Sequence, residues 1–213
     1  MIISPGRGYV FVHIPKTGGT SLSLALEEHA QADDILIGGT PKARQRRARL
    51  EGLQVPGRLW KHSRLMDVAP LVPEHAFVLT LVRNPWDRLV SYYHWLQTQQ
   101  FDHVAVRLAK TLTFGEFIAS PVIQRSFQAS PVSSYTTDAQ GVDRCRLAAR
   151  LEHLGEDLEP FWEHLGFRVR IPKVNASPRN KDWRGYYTDV EATLAGRLFA
   201  EDIARFSYRF DPD

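Results

Sequence analysis

The sequence predicts an α/β fold in which a parallel β-sheet is covered by helices. Two runs of β-branched and aromatic residues, one near the start of the chain and one in its first half, are each followed by a turn-forming segment and a helical pattern. The long stretch between them has room for a helical crossover. Repeated strand, loop and helix units joined in this way are typical of parallel sheets.

The first unit begins with an apolar run at residues 9–14 that ends at Pro15. Beyond a pair of glycines, residues 21–29 place Leu22, Ala25 and Leu26 at helical spacing. This pattern predicts a strand, a tight loop and a helix.

The second unit begins at residues 76–82, which are almost continuously apolar, as expected for a strand buried on both faces. Asn84 is a suitable N-cap and Pro85 suits the first helical position, so a helix is predicted over residues 86–99. A last helical stretch is predicted over residues 189–206, from the spacing of four apolar residues: Val190, Leu194, Leu198 and Ile203.

The chain has 213 residues, 43% of them hydrophobic, which is enough for one sizeable core, and a single domain over residues 1–213 is predicted. The only cysteine, Cys145, has no partner in the chain for a disulfide. No signal peptide or membrane-spanning segment is recognised. A cytoplasmic protein is therefore expected.

The net charge of +3 permits an anionic partner but is too small to predict nucleic-acid binding. Five of the eight residues at positions 42–49 are basic. This run is either a solvated face or a contact for an acidic acceptor.

The loop between the first strand and its helix has the composition of an anion site. Backbone N–H groups at a helix start converge on one point, and the helix dipole favours negative charge there. Gly18 and Gly19 allow close approach of the backbone, and Lys16 adds a positive charge. Hydroxyl donors to phosphate or sulfate oxygens are available from Thr17, Thr20 and Ser21.

The spacing differs from that of nucleotide-triphosphate loops. Their G-x-x-x-x-G-K-[ST] pattern is absent, because Lys16 precedes the glycine pair. No aspartate at a strand end suggests itself as a magnesium ligand. The residues alone thus predict an anion loop of another kind.

Residues 13–21, HIPKTGGTS, resemble the 5'-phosphosulfate loop of the sulfotransferases that use 3'-phosphoadenosine 5'-phosphosulfate (PAPS), in the branch of the heparan sulfate 2-O- and 6-O-sulfotransferases. Residues 83–93, RNPWDRLVSYY, are similar to that family's R-x-P-x-x-R-x-x-S-x-Y segment for the 3'-phosphate. The resemblance implies a P-loop-NTPase-like three-layer fold with a central, mainly parallel sheet flanked by helices. It also implies that Arg83 and Ser91 bind the 3'-phosphate, whereas Arg88 is expected to pair with a carboxylate.

A weaker resemblance covers residues 152–187. Asn175 and Ser177 match positions of the family's late donor-binding loop, while Ala176 stands where relatives often have a basic residue. Arg179 or Lys181 is a possible source of additional charge.

The resemblance implies in-line transfer of a sulfuryl group from PAPS to an acceptor hydroxyl of a carbohydrate or glycoconjugate, with 3'-phosphoadenosine 5'-phosphate (PAP) as the product. Lys16 would stabilise the leaving phosphate without a metal ion. His62, which precedes the second strand, is the candidate base, and His94 is the second choice. Two other classes stay open: a P-loop-type nucleotide kinase, and a non-catalytic module that binds PAP or a glycan. Oligomeric state is not predicted.

Overall fold

The computed structural model describes residues 1–172, 174, 179–180 and 182–211. Contacts divide the chain into two compact units. The first, here called the sheet unit, comprises Met1–Val82 and Val132–Asn175, and the second, the helical unit, comprises Arg83–Pro131 and Ala176–Asp213. The single domain over residues 1–213 stays a prediction.

The sheet unit is built on a five-stranded sheet. Its strands are β1 (Ile2–Ser4), β2 (Tyr9–Val12), β3 (Ile35–Leu36), β4 (Phe77–Val82) and β5 (Cys145–Arg150), in the order β3-β1-β2-β4-β5. Strands β2, β4 and β5 are parallel neighbours, whereas β1 is antiparallel to both β2 and β3. All strands except β1 therefore run in one direction.

Eleven α-helices are assigned within the described residues: α1 (Gly19–Glu28), α2 (Pro41–Gln45), α3 (Pro85–Gln97), α4 (Val104–Thr111), α5 (Phe114–Ala119), α6 (Pro121–Gln128), α7 (Val132–Thr136), α8 (Leu154–Asp157), α9 (Glu159–Leu165), α10 (Asp189–Leu198) and α11 (Ala200–Phe206). Short 3-10 helices span Arg47–Leu50, Met66–Leu71, Leu151–His153 and Arg184–Tyr186. Of the helices that are described, none has the length and apolar character needed to cross a membrane.

The core of the sheet unit lies between the sheet and helices α1 and α9. Tyr9 and Phe11 of β2 belong to one buried cluster with Leu22 of α1 and Phe161 of α9. The tyrosine and Phe161 rings meet edge to face, with centroids 5.2 Å apart. Every residue of β2 and β4 is buried, which explains their continuous apolar character. The predicted α/β class, with a mainly parallel central sheet flanked by helices, is confirmed.

The helical unit has its own core, centred on α3. Trp86, Leu89 and Tyr93 pack with buried residues of α5 and α10, among them Phe117 and Leu198. The Trp86 indole donates a hydrogen bond to Ala192 O at 2.9 Å. Helix α3 is thus held in place by its apolar side chains and by the Trp86 hydrogen bond.

Several predicted boundaries need correction. The strand predicted at residues 9–14 is β2, and it ends at Val12 because the chain then turns into the glycine loop. The predicted stretch 189–206 is two helices, since Phe199 has φ −112° and ψ 22°, outside helical values. Val190 is 78% exposed and is not a core residue. Strand β5 was not predicted because it is half-exposed and contains three arginine or cysteine positions among alanines and a leucine.

Three side chains of the basic run at residues 42–49 donate to carbonyl groups in the last turn of α1 and in the segment that follows it. The Lys42 ammonium donates to Glu27 O, Arg46 Nη1 donates to Gln31 O at 2.6 Å, and Arg49 Nη1 donates to Ala32 O at 2.5 Å. The Lys42 contact is favourable because carbonyl groups at a helix C-terminus lack partners within the helix. Three of the run's five cations therefore stabilise the fold.

Candidate anion-binding site

The loop that joins β2 to α1 has an unusual backbone. Lys16 has φ 66° and Gly18 has φ 84°. A lysine in the left-handed region is strained, and such residues concentrate at ligand sites. The Thr17 hydroxyl donates to Ile14 O at 2.9 Å, and Ser21 N donates to Gly18 O at 3.1 Å, so the loop is also braced internally. Helix α1 thus begins directly after a defined, internally bonded turn.

The glycine pair is required by packing as well as by close approach of a ligand. A Cβ atom on Gly18 would lie 2.6 Å from Leu151 Cδ1, and a Cβ atom on Gly19 would lie 2.6 Å from His13 Nε2. Leu151 follows β5, so the carboxyl ends of β2 and β5 meet at this loop. Both glycines would be needed here even without an anion.

We expect Gly19→Ala to destabilise the protein by about 1 to 3 kcal/mol, since the added methyl group must displace the buried His13 ring. Gly155→Ala is the matched control, because a Cβ atom there meets nothing within 4 Å and its φ is not positive. Urea unfolding of both variants measures the difference. Equal stability of the two would mean that His13 moves aside freely.

His13 and His62 lie together at the start of the loop. His62 Nδ1 is 2.7 Å from His13 O, and the two rings are edge to face with centroids 4.8 Å apart. A carbonyl oxygen only accepts, so Nδ1 carries the proton and donates. In the neutral ring, Nε2 then has the lone pair that a general base needs. The predicted base thus touches the backbone of the predicted anion loop.

The pKa of His13 is held well below its usual 6.5, first by burial of the imidazole and then by nearby positive groups that include His62 and Lys61. His13 is 7% exposed and stacks on Phe11. A neutral, buried ring is consistent with the close packing of His13 against Gly19.

This shift predicts a pH dependence of stability. The unfolded chain protonates His13 near pH 6.5, whereas the folded chain does so only at much lower pH, so the unfolded state binds more protons between these values. The free energy of unfolding should therefore fall as the pH drops below 6.5, by up to about 1.4 kcal/mol per pH unit from this group. His13→Gln should flatten this slope in urea titrations from pH 7 to pH 4.5. An unchanged slope would assign the effect to other groups.

In the helical unit, three charged side chains meet at the start of α3. Arg83 Nε donates to Asp87 Oδ2 at 2.7 Å, and the Arg179 guanidinium pairs with Asp87 Oδ1. The Arg179 side chain is only 7% exposed. Two guanidinium groups share one carboxylate, so this group of three carries an excess positive charge, as an anion site requires.

Three further residues assigned from the sequence, Asn84, Arg88 and Ser91, lie in α3 or at its N-cap. Asn84 Oδ1 accepts from Trp86 N at 3.1 Å, which confirms it as the N-cap, with Pro85 at the first position. Ser91, one turn beyond Asp87, is 3% exposed. Arg88 pairs with Asp202 at 3.9 Å, as predicted for a bracing residue.

His94, the second choice for the base, lies on the same face of α3 as Asp87 and Ser91. Burial lowers its pKa, and the positive charge of Arg179 lowers it further. Its ring meets that of Tyr186 edge to face, 5.0 Å between centroids. His94 thus lies in the electrostatic surroundings of Arg179.

Sequence reasoning did not assign Asp87, the residue that holds Arg83 and Arg179 together. A local indication was present, because Asp87 lies in the first turn of α3, four residues after Arg83. The pairing with Arg179, 92 residues away, has no local signal.

Asn175 and Ser177 lie outside the described residues, so their assignment stays a prediction. The chain just before them is near the loop, since Val174 N donates to Ser21 Oγ at 3.4 Å. The anion-binding roles of Lys16, Thr17, Thr20 and Ser21 also stay predictions. Among the residues whose placement is described, no group of three or more His, Cys, Asp or Glu side chains could hold a metal ion.

No protein-family model matches the sequence, and no curated protein sequence matches it significantly. A similar solved structure is that of the mouse sulfotransferase SULT7A1 complexed with PAP, with 15% sequence identity and a TM-score of 0.46. The match covers 94% of this chain and 85% of that chain.

Proposed function

We propose that the protein is a sulfotransferase that moves the sulfuryl group of PAPS to an acceptor hydroxyl, with His62 as the base and a carbohydrate as the acceptor. The observation that carries the proposal is the 2.7 Å hydrogen bond from His62 Nδ1 to His13 O. It holds a histidine, in the tautomer suited to a base, on the backbone of the loop that we propose binds the anion.

In the proposed reaction, the loop at residues 13–21 holds the 5'-phosphosulfate and Lys16 stabilises the charge that develops on the leaving phosphate. His62 Nε2 removes the proton of the acceptor hydroxyl as its oxygen bonds to sulfur. The bond from sulfur to the bridging phosphate oxygen breaks, and PAP leaves with that electron pair. The step needs no group beyond donor, acceptor and these side chains.

The 3'-phosphate is assigned to Arg83, with Ser91 and Arg179. The excess positive charge of the pair Arg83 and Arg179 around Asp87 supports this assignment. A phosphate oxyanion would be attracted by that excess, and a planar guanidinium can bind it through two N–H groups.

We expect Arg83→Ala to weaken PAP binding by about 10- to 100-fold, the loss typical of a charged hydrogen bond. Binding of adenosine 5'-phosphosulfate, which lacks the 3'-phosphate, should change less than about threefold. Calorimetry on both ligands measures this, with Arg197→Ala, an exposed arginine of α10, as the control. Equal losses for both nucleotides would contradict a 3'-phosphate contact.

The function itself is tested by comparing ligands for the unmodified protein. PAP should bind without magnesium, whereas ATP with magnesium should bind far more weakly. Preference for ATP with magnesium would favour the kinase alternative and overturn the proposal.

A further inference from the structure

Two aromatic rings pack against the ring of His62, one buried and one at the surface. The His13 ring meets it edge to face with centroids 4.8 Å apart, and the Trp60 indole meets it in the same way with centroids 5.1 Å apart. His13 is buried, whereas Trp60 is 40% exposed. One ring contact of His62 thus belongs to the core of the sheet unit and the other lies outside it.

The orientation of the His62 ring depends on these contacts as well as on its hydrogen bond. The bond to His13 O holds Nδ1, and the two neighbouring rings limit the tilt of the imidazole around that bond. The direction of the Nε2 lone pair changes with this tilt. A general base must lie within hydrogen-bond reach of the proton it removes, so a small error in its placement is costly.

Trp60 is itself held in place. The Arg58 guanidinium lies over the indole, 5.1 Å from its ring centroid. The buried Ser63 hydroxyl accepts from Trp60 N at 3.0 Å and donates to Arg58 O at 2.6 Å. Because Arg58 covers one face of the indole, we assign Trp60 a role in packing and not in ligand binding.

The two ring contacts of His62 differ in what else depends on them. His13 stacks on Phe11 with centroids 5.8 Å apart and packs closely against Gly19, so a change of His13 also disturbs the glycine loop. Trp60 stands in a surface turn. Its contact with His62 can therefore be removed with little effect on the core.

We propose that Trp60 is a positioning residue that keeps the His62 imidazole in the orientation in which Nδ1 donates to His13 O and Nε2 presents its lone pair to the acceptor. Held in this way, His62 has little side-chain freedom left to lose when the acceptor hydroxyl arrives. The consequence for the rate rests on the proposed function, since it takes His62 as the base. The orientation of the ring is a property of the protein alone and can be measured without donor or acceptor.

The test follows the His62 Nδ1–H group by ¹⁵N-edited NMR, with His62→Asn to assign its signal. In Trp60→Ala this proton should exchange with water about tenfold faster than in the unmodified protein, because the hydrogen bond to His13 O opens more often. Trp60→Leu keeps an apolar side chain but has no ring, so it should behave like Trp60→Ala. Trp60→Phe restores a ring and should stay within about threefold of the unmodified protein.

The same variants are compared in the transfer of label from PAPS to a uronate-containing oligosaccharide. Trp60→Ala and Trp60→Leu should lower kcat by about tenfold and leave KM for the acceptor within about twofold, whereas Trp60→Phe should recover most of kcat. A role in acceptor binding would instead raise KM. Phe101→Ala, which removes an exposed aromatic ring of the helical unit, is the matched control, and thermal unfolding checks that every variant is folded.

Unchanged exchange of the Nδ1 proton in Trp60→Ala and Trp60→Leu, or equal acceleration in Phe101→Ala, would overturn the assignment. Faster exchange with normal kcat would overturn it as well, because the held orientation would then not matter for the base. If the unmodified protein transfers no label, the proposed function fails, while the exchange rates still decide whether Trp60 holds the His62 ring.

Discussion

His62→Asn is expected to lower the rate of sulfuryl transfer by about 100- to 10,000-fold while PAP binds as tightly as before. Asparagine can still donate an N–H to His13 O, so the backbone of the loop keeps its partner at this position. What the variant loses is the lone pair of Nε2. Single-turnover transfer from labelled PAPS measures the rate, and calorimetry measures the affinity for PAP.

The control is His75→Asn, which changes a histidine that precedes β4 in the same unit. Retained transfer in His62→Asn would move the base to another residue. Lost PAP binding would instead mean that His62 supports the loop and takes no part in proton transfer.

Lys16→Met should lower the rate of transfer by about 100- to 1,000-fold, the usual effect of removing one group that stabilises charge in a transition state. Methionine keeps most of the length of the side chain. It also keeps a Cβ atom at φ 66°, so the backbone strain is the same in both proteins. The change is thus confined to the ammonium group.

Lys110→Met, at an exposed position in α4, is the matched control for loss of one positive charge. PAPS affinity should fall less than the rate, because the charge that Lys16 stabilises grows only as the bridging oxygen leaves. Normal turnover of Lys16→Met would remove Lys16 from the proposed reaction, whatever its effect on PAP affinity.

The central features of the fold were predictable from local patterns. Strand β4 is buried along its whole length, and this burial explains why five of its six residues are apolar. Asn84 and Pro85 mark the start of α3 because capping depends on residues within one helical turn. Strands β1 and β3 have three and two residues, too few to produce a readable alternation.

The candidate site was predictable where its residues are close in sequence. The loop at residues 13–21 is one continuous segment, so its glycines, lysine and hydroxyl residues could be interpreted together as an anion site. The hydrogen bond between His62 and His13 joins residues 49 apart, and the pairing of Asp87 with Arg179 joins residues 92 apart. Such contacts depend on the packing of the chain and leave no periodic pattern in it. The double role of Gly19, which accommodates the His13 ring as well as the predicted anion, also required the structure.

The most direct test of the central claim is a transfer assay with PAPS labelled in the sulfuryl group, in the presence of a chelator and a uronate-containing oligosaccharide. The proposal predicts that label appears on the oligosaccharide with an equal amount of PAP, and that His62→Asn releases neither above the uncatalysed rate. Tight binding of PAPS with no label transferred to any hydroxyl acceptor would contradict the proposal and leave a protein that binds the nucleotide without acting on it.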